Sequence, residues 1–179
     1  MAVREGLLAL LREGPRHGYQ LKTAFEAATG GAWSLNVGQV YTTLDRLARD
    51  GYVDVDETTG QKRYTITPAG REELAAWWQA GPVDAPPPRD ELLLKVLLAI
   101  EEGPDHALEV LTRHRTALTG LLQAHRRAAR PGRVDDGGDD LAAALVADAL
   151  ATRAEADLRW LDLCEARILC ARANGKAAR

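Results

Sequence analysis

The segment AGPVDAPPPRD, from Ala80 to Asp90, constrains the fold of this chain more than any other stretch. It places four prolines within seven positions, and a proline has no backbone amide with which to continue a helix. A proline cluster of this kind also forms a stiff and extended link. The sequence therefore predicts two domains, at residues 1–81 and 89–175, joined by a linker at residues 82–88.

The first domain shows apolar residues at helical spacing in three successive segments, and glycines end the first two near positions 14 and 30. The third segment follows Asn36, a residue type that caps helices. The runs YVDVD and KRYTIT then flank the turn-prone ETTGQ, which is typical of a β-hairpin. A fourth helix follows Thr67. Three helices and a hairpin in this order predict a winged helix-turn-helix.

The third helix has two different faces. Its apolar residues recur every three or four positions and are expected to face the core: Val37, Val40, Leu44 and Leu47. The opposite face carries amide, hydroxyl and guanidinium groups, which can read base edges in a major groove. These candidate base-reading residues are Gln39, Thr42, Thr43 and Arg46.

Three further residues are candidates for contacts with the phosphate backbone. Tyr41 lies between the two faces, where its ring can pack and its hydroxyl can reach a phosphate. Lys62 and Arg63 add two positive charges beside the turn of the predicted hairpin. Because the first domain carries nearly equal numbers of basic and acidic residues, DNA affinity must depend on where these charges lie.

Structural explanations compete with the DNA-binding interpretation of these side chains. Gln39 lies three residues after Asn36 and could close a capping box onto it. Arg46 could instead pair with the carboxylate of Asp45 or Asp50. Tyr41 could belong to the core alone.

After the linker the pattern is helical throughout, from DELLLKVLLAIEEG to a final helix at about residues 140–173. The fold class is therefore mainly α with a small β-hairpin: a winged helix-turn-helix followed by an all-helical C-terminal domain. Apolar residues recur at spacings of three and four along the last helix, and such a stripe needs a partner. We expect a dimer interface that includes Leu150, Leu158, Leu161 and Ile168.

Three motifs in the first domain are together similar to the PadR family of bacterial transcriptional regulators. They are HGYQL at 17–21, GQVYTTLDRLARDGYV at 38–53 and QKRYTITPAGR at 61–71. The resemblance implies a repressor that binds an inverted repeat in double-stranded operator DNA. It also implies a homodimer formed through the C-terminal helices, and release by a small effector. It places Tyr19 and Tyr41 near the phosphate backbone, and Lys62 and Arg63 in a basic wing.

Three tryptophans suggest where an effector could bind. Trp77 and Trp78 are adjacent on the fourth helix, and with Trp160 they could line an aromatic pocket for a flat aromatic compound. The structural alternative is that they anchor the two domains to each other, since aromatic side chains dominate interface energetics.

Other functional classes lack the residues that they require. The four histidines are scattered, Ser34 is the only serine, and there is no glycine-rich phosphate loop, so we expect no metal, no cofactor and no enzyme. Cys164 and Cys170 are expected to be free, mostly buried thiols in a reducing compartment. The longest apolar block, at residues 92–100, is far shorter than the ~20 residues of a membrane span, and we expect a cytoplasmic protein.

The sequence predicts a dimeric, sequence-specific DNA-binding regulator that acts as a repressor. One alternative is a winged-helix module that docks proteins and does not bind DNA. A second alternative is a small-molecule sensor whose main role is ligand capture. Salt-dependent duplex binding would identify the first function, because only a protein that neutralises phosphates loses affinity steadily as salt rises.

Overall fold

The computed structural model describes residues 3–58, 60–81, 90–129 and 139–177. The predicted linker at residues 82–88 lies outside these ranges. Within them the chain forms seven α-helices and three short strands, in this order: α1 Val3–Leu10, followed by a 3-10 turn at Leu11–Glu13, β1 Arg16–His17, α2 Gly18–Ala28, α3 Val37–Arg49, β2 Val53–Asp56, β3 Arg63–Ile66, α4 Pro68–Gln79, α5 Glu91–Glu102, α6 Pro104–Ala128 and α7 Asp139–Ala177.

The described residues gather into two compact units. The first unit contains the chain up to Gly81 together with residues 139–143 at the start of α7. The second contains α5, α6 and the rest of α7. The predicted domain boundaries assign residues 139–143 to the C-terminal domain instead. Helical periodicity predicts that these residues are helical, but it does not indicate which core they pack against.

The first unit is built around a core contributed by α1 to α4 and the strands. Leu7, Leu21, Leu44 and Leu47 are completely buried there, and so is Tyr64 of β3. Each buried leucine stabilises the fold by about 1.5–3 kcal/mol relative to leaving it in water. The helices of the winged helix-turn-helix are therefore held by one common core.

The strands form an antiparallel sheet in the order β1-β3-β2. Val53 pairs with Ile66 and Val55 with Tyr64, which is the predicted hairpin. On the other side of β3, Arg16 pairs with Tyr64 and adds a third strand that the sequence analysis missed. β1 has only two residues, too few for an alternating pattern to be visible.

The predicted fold class is confirmed: the structure is mainly helical, with a small antiparallel sheet in the first unit. One residue of the predicted core is placed differently. Val37 is 37% exposed, because it is the first residue of α3 and no preceding helical turn covers it.

The second unit has its own core, and this changes the interpretation of the apolar stripe on α7. Leu161 is 0% exposed and packs with Val96 and Leu111, while Ile168 is half-buried against the same cluster. Leu158 packs on a neighbouring cluster around Leu122. The predicted dimer interface is therefore wrong for Leu161, whose side chain is already covered by its own protomer. Of the four stripe residues, Leu150 is the most exposed, at 38%.

The two thiols also differ from each other. Cys164 is half-buried beside the core of the second unit, whereas Cys170 is exposed. The expectation of mostly buried thiols is thus met only by Cys164.

Candidate nucleic-acid interface

The start of α3 is specified by its own residues. The Asn36 side chain accepts a hydrogen bond from the Gly38 amide at 2.8 Å, which satisfies one of the free amides at the start of the helix. Leu35 is buried before the cap, and Val40 is fully buried one turn later. These contacts hold one face of α3 against the core and leave the opposite face outside it.

The outer face of α3 carries the predicted base-reading side chains. Gln39, Thr42 and Arg46 are exposed, and Thr43 is half-buried. Asn36 caps the helix through Gly38, and within the described residues the Gln39 side chain has no hydrogen-bond partner. The capping-box alternative for Gln39 is therefore not seen.

Arg46 is likewise not engaged by its neighbouring carboxylates. Asp50, one of its two predicted partners, pairs with Arg49 instead, at 3.6 Å. Within the described residues, Arg46 lies beyond 4.0 Å of every carboxylate oxygen. Its guanidinium group thus remains open to a base or a phosphate.

The two threonines offer less hydrogen-bonding capacity than their types suggest. The Thr42 hydroxyl donates to the Gly38 carbonyl at 2.9 Å, and the Thr43 hydroxyl donates to the Gln39 carbonyl at 2.8 Å. Each hydroxyl has used its only proton inside the helix. A base could still contact the threonine methyl group, or donate a hydrogen bond to the remaining lone pair of the hydroxyl oxygen. Each threonine is therefore better suited to contact a thymine methyl group than to donate to an acceptor on a base edge.

Tyr41 packs against the start of α2. A Cβ atom on Gly18 would lie 2.7 Å from Cε1 of Tyr41, so the absence of a side chain at Gly18 makes room for the ring. Tyr41 remains 37% exposed, and Tyr19 in the first turn of α2 is 65% exposed. Both tyrosines therefore lie near the amino end of α2, where the helix dipole favours a phosphate. Gly18 was not identified from the sequence.

His17 connects the wing to the same end of α2. Its Nδ1 atom lies 3.0 Å from the Lys62 carbonyl oxygen, and its backbone amide donates to the Gln20 side chain at 3.0 Å. His17 also pairs with Arg63 between β1 and β3. The wing turn and the start of α2 are consequently held together.

The two basic residues of the wing are in different environments. The Lys62 ammonium lies 3.3 Å from the Glu57 carboxylate, so part of its charge is neutralised locally. Arg63 is exposed, and no described carboxylate lies within 4.0 Å of it. Two hydrogen bonds from Thr58, with a smaller contribution from Arg63, hold the pKa of Asp56 below its usual value. Arg63 is thus the more available cation for a phosphate.

Arg4 lies beside the outer face of α3, although the sequence analysis did not identify it. It lines a shallow groove with Val3, Gln39, Thr43, Arg46 and Asp50. Its guanidinium pairs with Glu73 at 2.9 Å and stacks 4.8 Å from the centre of the Tyr52 ring. These contacts orient Arg4 within the first unit.

Glu26 is a second residue whose role is not visible in the sequence. Its carboxylate accepts hydrogen bonds from the Ser34 hydroxyl at 3.0 Å and the Leu35 amide at 3.1 Å, and it pairs with Lys22. Glu26 thus connects α2 to the segment that leads into α3. Its partners lie eight and nine positions away, which is too far for a helical periodicity to indicate them.

We expect Glu26→Gln to lower the melting temperature at neutral pH. The hydrogen bond from Lys22, then those from Ser34 and Leu35, lower the pKa of Glu26 below its ordinary value of 4.5. A lowered pKa stabilises the fold above 4.5, and that contribution is lost as the pH falls through the folded value. Thermal unfolding of both proteins from pH 7 to pH 3 would measure the difference.

Glu72→Gln is the matched control for this prediction. Glu72 is exposed on α4, and within the described residues it makes no ion pair. Its replacement should leave the melting temperature unchanged at every pH. If Glu26→Gln and Glu72→Gln give the same curve, Glu26 does not hold the segment before α3.

Tyr64 carries a buried hydroxyl group with no hydrogen-bond partner in the described part of the chain. Burial, with smaller contributions from the charges of Asp45 and Tyr41, raises the pKa of Tyr64 to about 12. The ring lies in the same core as Leu44 and Leu47 of α3, and the hydroxyl remains neutral at physiological pH.

Tyr64→Phe should leave the free energy of unfolding equal or higher, by at most about 1 kcal/mol, because it removes an unsatisfied polar group. Urea unfolding followed by circular dichroism would measure it. A loss of more than about 1 kcal/mol would mean that the hydroxyl has a partner, such as a buried water.

The three tryptophans of the predicted effector pocket are divided between the units. The Trp77 and Trp78 rings touch, with centroids 4.4 Å apart and planes tilted by 58°, although adjacent residues leave a helix in different directions. Trp77 packs partly against the first core, and Trp78 is 61% exposed. Trp160 packs against the core of the second unit. A pocket that includes all three stays a prediction.

Within the described ranges, no group of three or more histidine, cysteine, aspartate or glutamate side chains could hold a metal ion. No helix in the same ranges is both long enough and apolar enough to cross a membrane.

Two segments of the chain match known protein families. Residues 7–76 match the transcriptional regulator PadR-like family, and residues 88–168 match the virulence activator alpha C-terminal domain. The negative transcriptional regulator PadR of Bacillus subtilis (strain 168) is 26% identical over 134 residues, which cover 70% of this chain and 74% of that protein.

Solved structures of Bacillus subtilis PadR have the same fold. The complex with operator DNA has a TM-score of 0.59, and the complex with p-coumaric acid has a TM-score of 0.62. In both cases the identity is 24%, over 94% of this chain and 99% of the other. With its PadR-like first domain and its virulence activator alpha C-terminal domain, the chain belongs to the PadR family of transcriptional regulators.

Proposed function

We propose that this protein is a sequence-specific DNA-binding repressor that uses α3 to read the major groove of an inverted repeat. The observation that carries the proposal is the outer face of α3. Gln39 and Arg46 are exposed there without partners among the described residues, while Val40, Leu44 and Leu47 fix the opposite face in the core. A helix held in this way presents hydrogen-bonding groups at low entropic cost.

The contacts with phosphate in this proposal come from two places around α3. Tyr19 and Tyr41 lie at the start of α2, and the wing offers Arg63 and the partly paired Lys62. Bacillus subtilis PadR, which has the same fold, has been solved with operator DNA. A regulator with this partner works in the bacterial cytoplasm and has no enzymatic reaction to perform.

The test is a footprint and a salt series on the DNA that flanks the protein's own coding region. A repressor should protect a repeated site, and log affinity should fall linearly with log salt at a slope near −0.9 per phosphate contact. A scrambled duplex should bind at least ~10³-fold more weakly at physiological salt. Absence of affinity for any duplex would favour the alternative of a protein-docking module.

We also propose a homodimer through the second unit, because two half-sites of an inverted repeat require two copies of α3. The buried Leu161 cannot serve as a contact, so the interface must use apolar side chains that the protomer leaves exposed. In the second unit these include Leu97, Leu98 and Leu163, which are 51%, 65% and 60% exposed. Sedimentation of the whole chain across a concentration series measures the oligomeric state.

The effector that we propose is a flat aromatic acid. Bacillus subtilis PadR has been solved with p-coumaric acid, and Trp77, Trp78 and Trp160 are the residues from which we expect a signal. Titration with p-coumaric acid should quench tryptophan emission and weaken operator binding. If no member of a panel of aromatic acids does either, the tryptophans have a purely structural role.

A further inference from the structure

The turn that precedes α3 touches another part of the chain backbone to backbone. Gly30, the second residue after the end of α2, has a φ angle of +57°. A Cβ atom there would lie 2.6 Å from the Ala143 nitrogen and 2.8 Å from its Cα atom. Real side chains do not approach backbone atoms so closely. A glycine is therefore required at position 30 for two reasons: its φ angle is positive, and a side chain would collide with α7.

The same turn is held from its other side by α2. The Gly30 amide donates to the Ala27 carbonyl at 3.0 Å, and the Gly31 amide donates to the Glu26 carbonyl at 2.8 Å. The Glu26 side chain then holds Ser34 and Leu35, immediately before α3 begins. The path of the chain into α3 is thus determined by α2 on one side and by the first turn of α7 on the other.

We propose that the start of α7 is a positioning element of the DNA-binding unit, which braces the turn before α3 through Gly30. The effect of this role on DNA affinity rests on the proposed function. The support that α7 gives to the turn does not depend on DNA binding. α7 extends beyond Ala143 to Ala177, and those later residues belong to the second unit. Any event that loosens the first turn of α7 will therefore also loosen the turn before α3.

Gly30→Ala and Gly31→Ala form a matched pair of variants in the full-length protein. Both glycines have a positive φ angle, +57° and +72°, so both substitutions cost the same kind of backbone strain. A Cβ atom on Gly31 would have no neighbour within 4 Å, whereas one on Gly30 would meet α7. Any difference in hydrogen exchange or DNA affinity between the two variants therefore reports on the contact with α7.

Amide hydrogen exchange is the first measurement. Gly30→Ala should speed exchange at least about tenfold in residues 29–36 and also in residues 141–147, because the backbones must separate. Gly31→Ala should leave residues 141–147 unchanged. Equal exchange of residues 141–147 in the two variants would overturn the brace.

A second pair of variants acts from the α7 side, in case Gly30→Ala does not fold. Ala143→Gly and Ala149→Gly remove the same helix propensity from two exposed positions of α7. Only Ala143→Gly should speed exchange in residues 29–36. If both variants or neither of them do so, α7 does not support the turn.

DNA binding is the last measurement, with the duplex that flanks the protein's own coding region as the probe. Gly30→Ala should bind it at least about tenfold more weakly than Gly31→Ala, which corresponds to a difference of about 1.4 kcal/mol in binding free energy. Equal affinities would overturn the positioning role of α7. If the wild-type protein binds no duplex, the proposed function fails, while hydrogen exchange still decides whether α7 braces the turn.

Discussion

Arg46→Ala should weaken binding to the preferred operator by about 1–3 kcal/mol per half-site, and by much less on a scrambled duplex. Arg46 is exposed on the outer face of α3, and Asp50, a candidate partner one turn later, pairs with Arg49 instead. A guanidinium that is not engaged within the protein can form two hydrogen bonds to a guanine edge. Because a dimer presents the change twice, the loss should be about doubled on a palindrome. Binding isotherms on both duplexes measure it.

The double variant Lys62→Ala, Arg63→Ala is the control, because these residues lie in the wing and not on α3. Its affinity should fall equally on operator and scrambled DNA, and the salt slope should decrease by about one for each phosphate that is no longer neutralised. If Arg46→Ala also weakens both duplexes alike, Arg46 binds phosphate. Sequence would then be read by Gln39, by the threonine methyl groups or through DNA shape.

Leu161→Ala should reduce the free energy of unfolding of the second unit by about 2–5 kcal/mol, because it opens a cavity in a packed core. Leu161 is 0% exposed and packs with Val96 and Leu111. Leu163→Ala is the matched control on the same helix, where the side chain is 60% exposed. It should change the stability of the protomer by less than about 1 kcal/mol. Denaturant unfolding of both variants provides the comparison.

Sedimentation of the same two variants distinguishes core from interface. Leu163→Ala should weaken the dimer if that exposed face is covered by a second copy, while the protomer stays folded. A Leu161→Ala protein that is as stable as the wild type but monomeric would show that Leu161 lies in the dimer interface and not in the core.

The capped and amphipathic elements were readable from the sequence because their signals are local. Asn36 precedes α3 and caps it as predicted, and Thr67 does the same for α4 through the Gly70 amide. β1 was missed because its two residues acquire strand character only by pairing with β3. Local propensity identifies an element that stabilises itself, but not one that depends on a distant partner.

The candidate site also contains some features that local sequence signals identify and others that they do not. The two faces of α3 follow from helical spacing, so Gln39, Thr42, Thr43 and Arg46 could be selected without a structure. That spacing could not indicate that both threonine hydroxyls donate to the helix backbone. It also could not identify Glu26, whose role depends on where the chain returns after α2.

The sequence alone determined the order of the helices and hairpin and the face of α3 that avoids the core. These depend on periodicity, caps and prolines, which act over a few residues. The tertiary structure alone decided which apolar residues of α7 are covered within the protomer and that Gly30 lies against Ala143. An apolar stripe has the same pattern whether its own chain or a second copy buries it, because the hydrophobic effect is not directional.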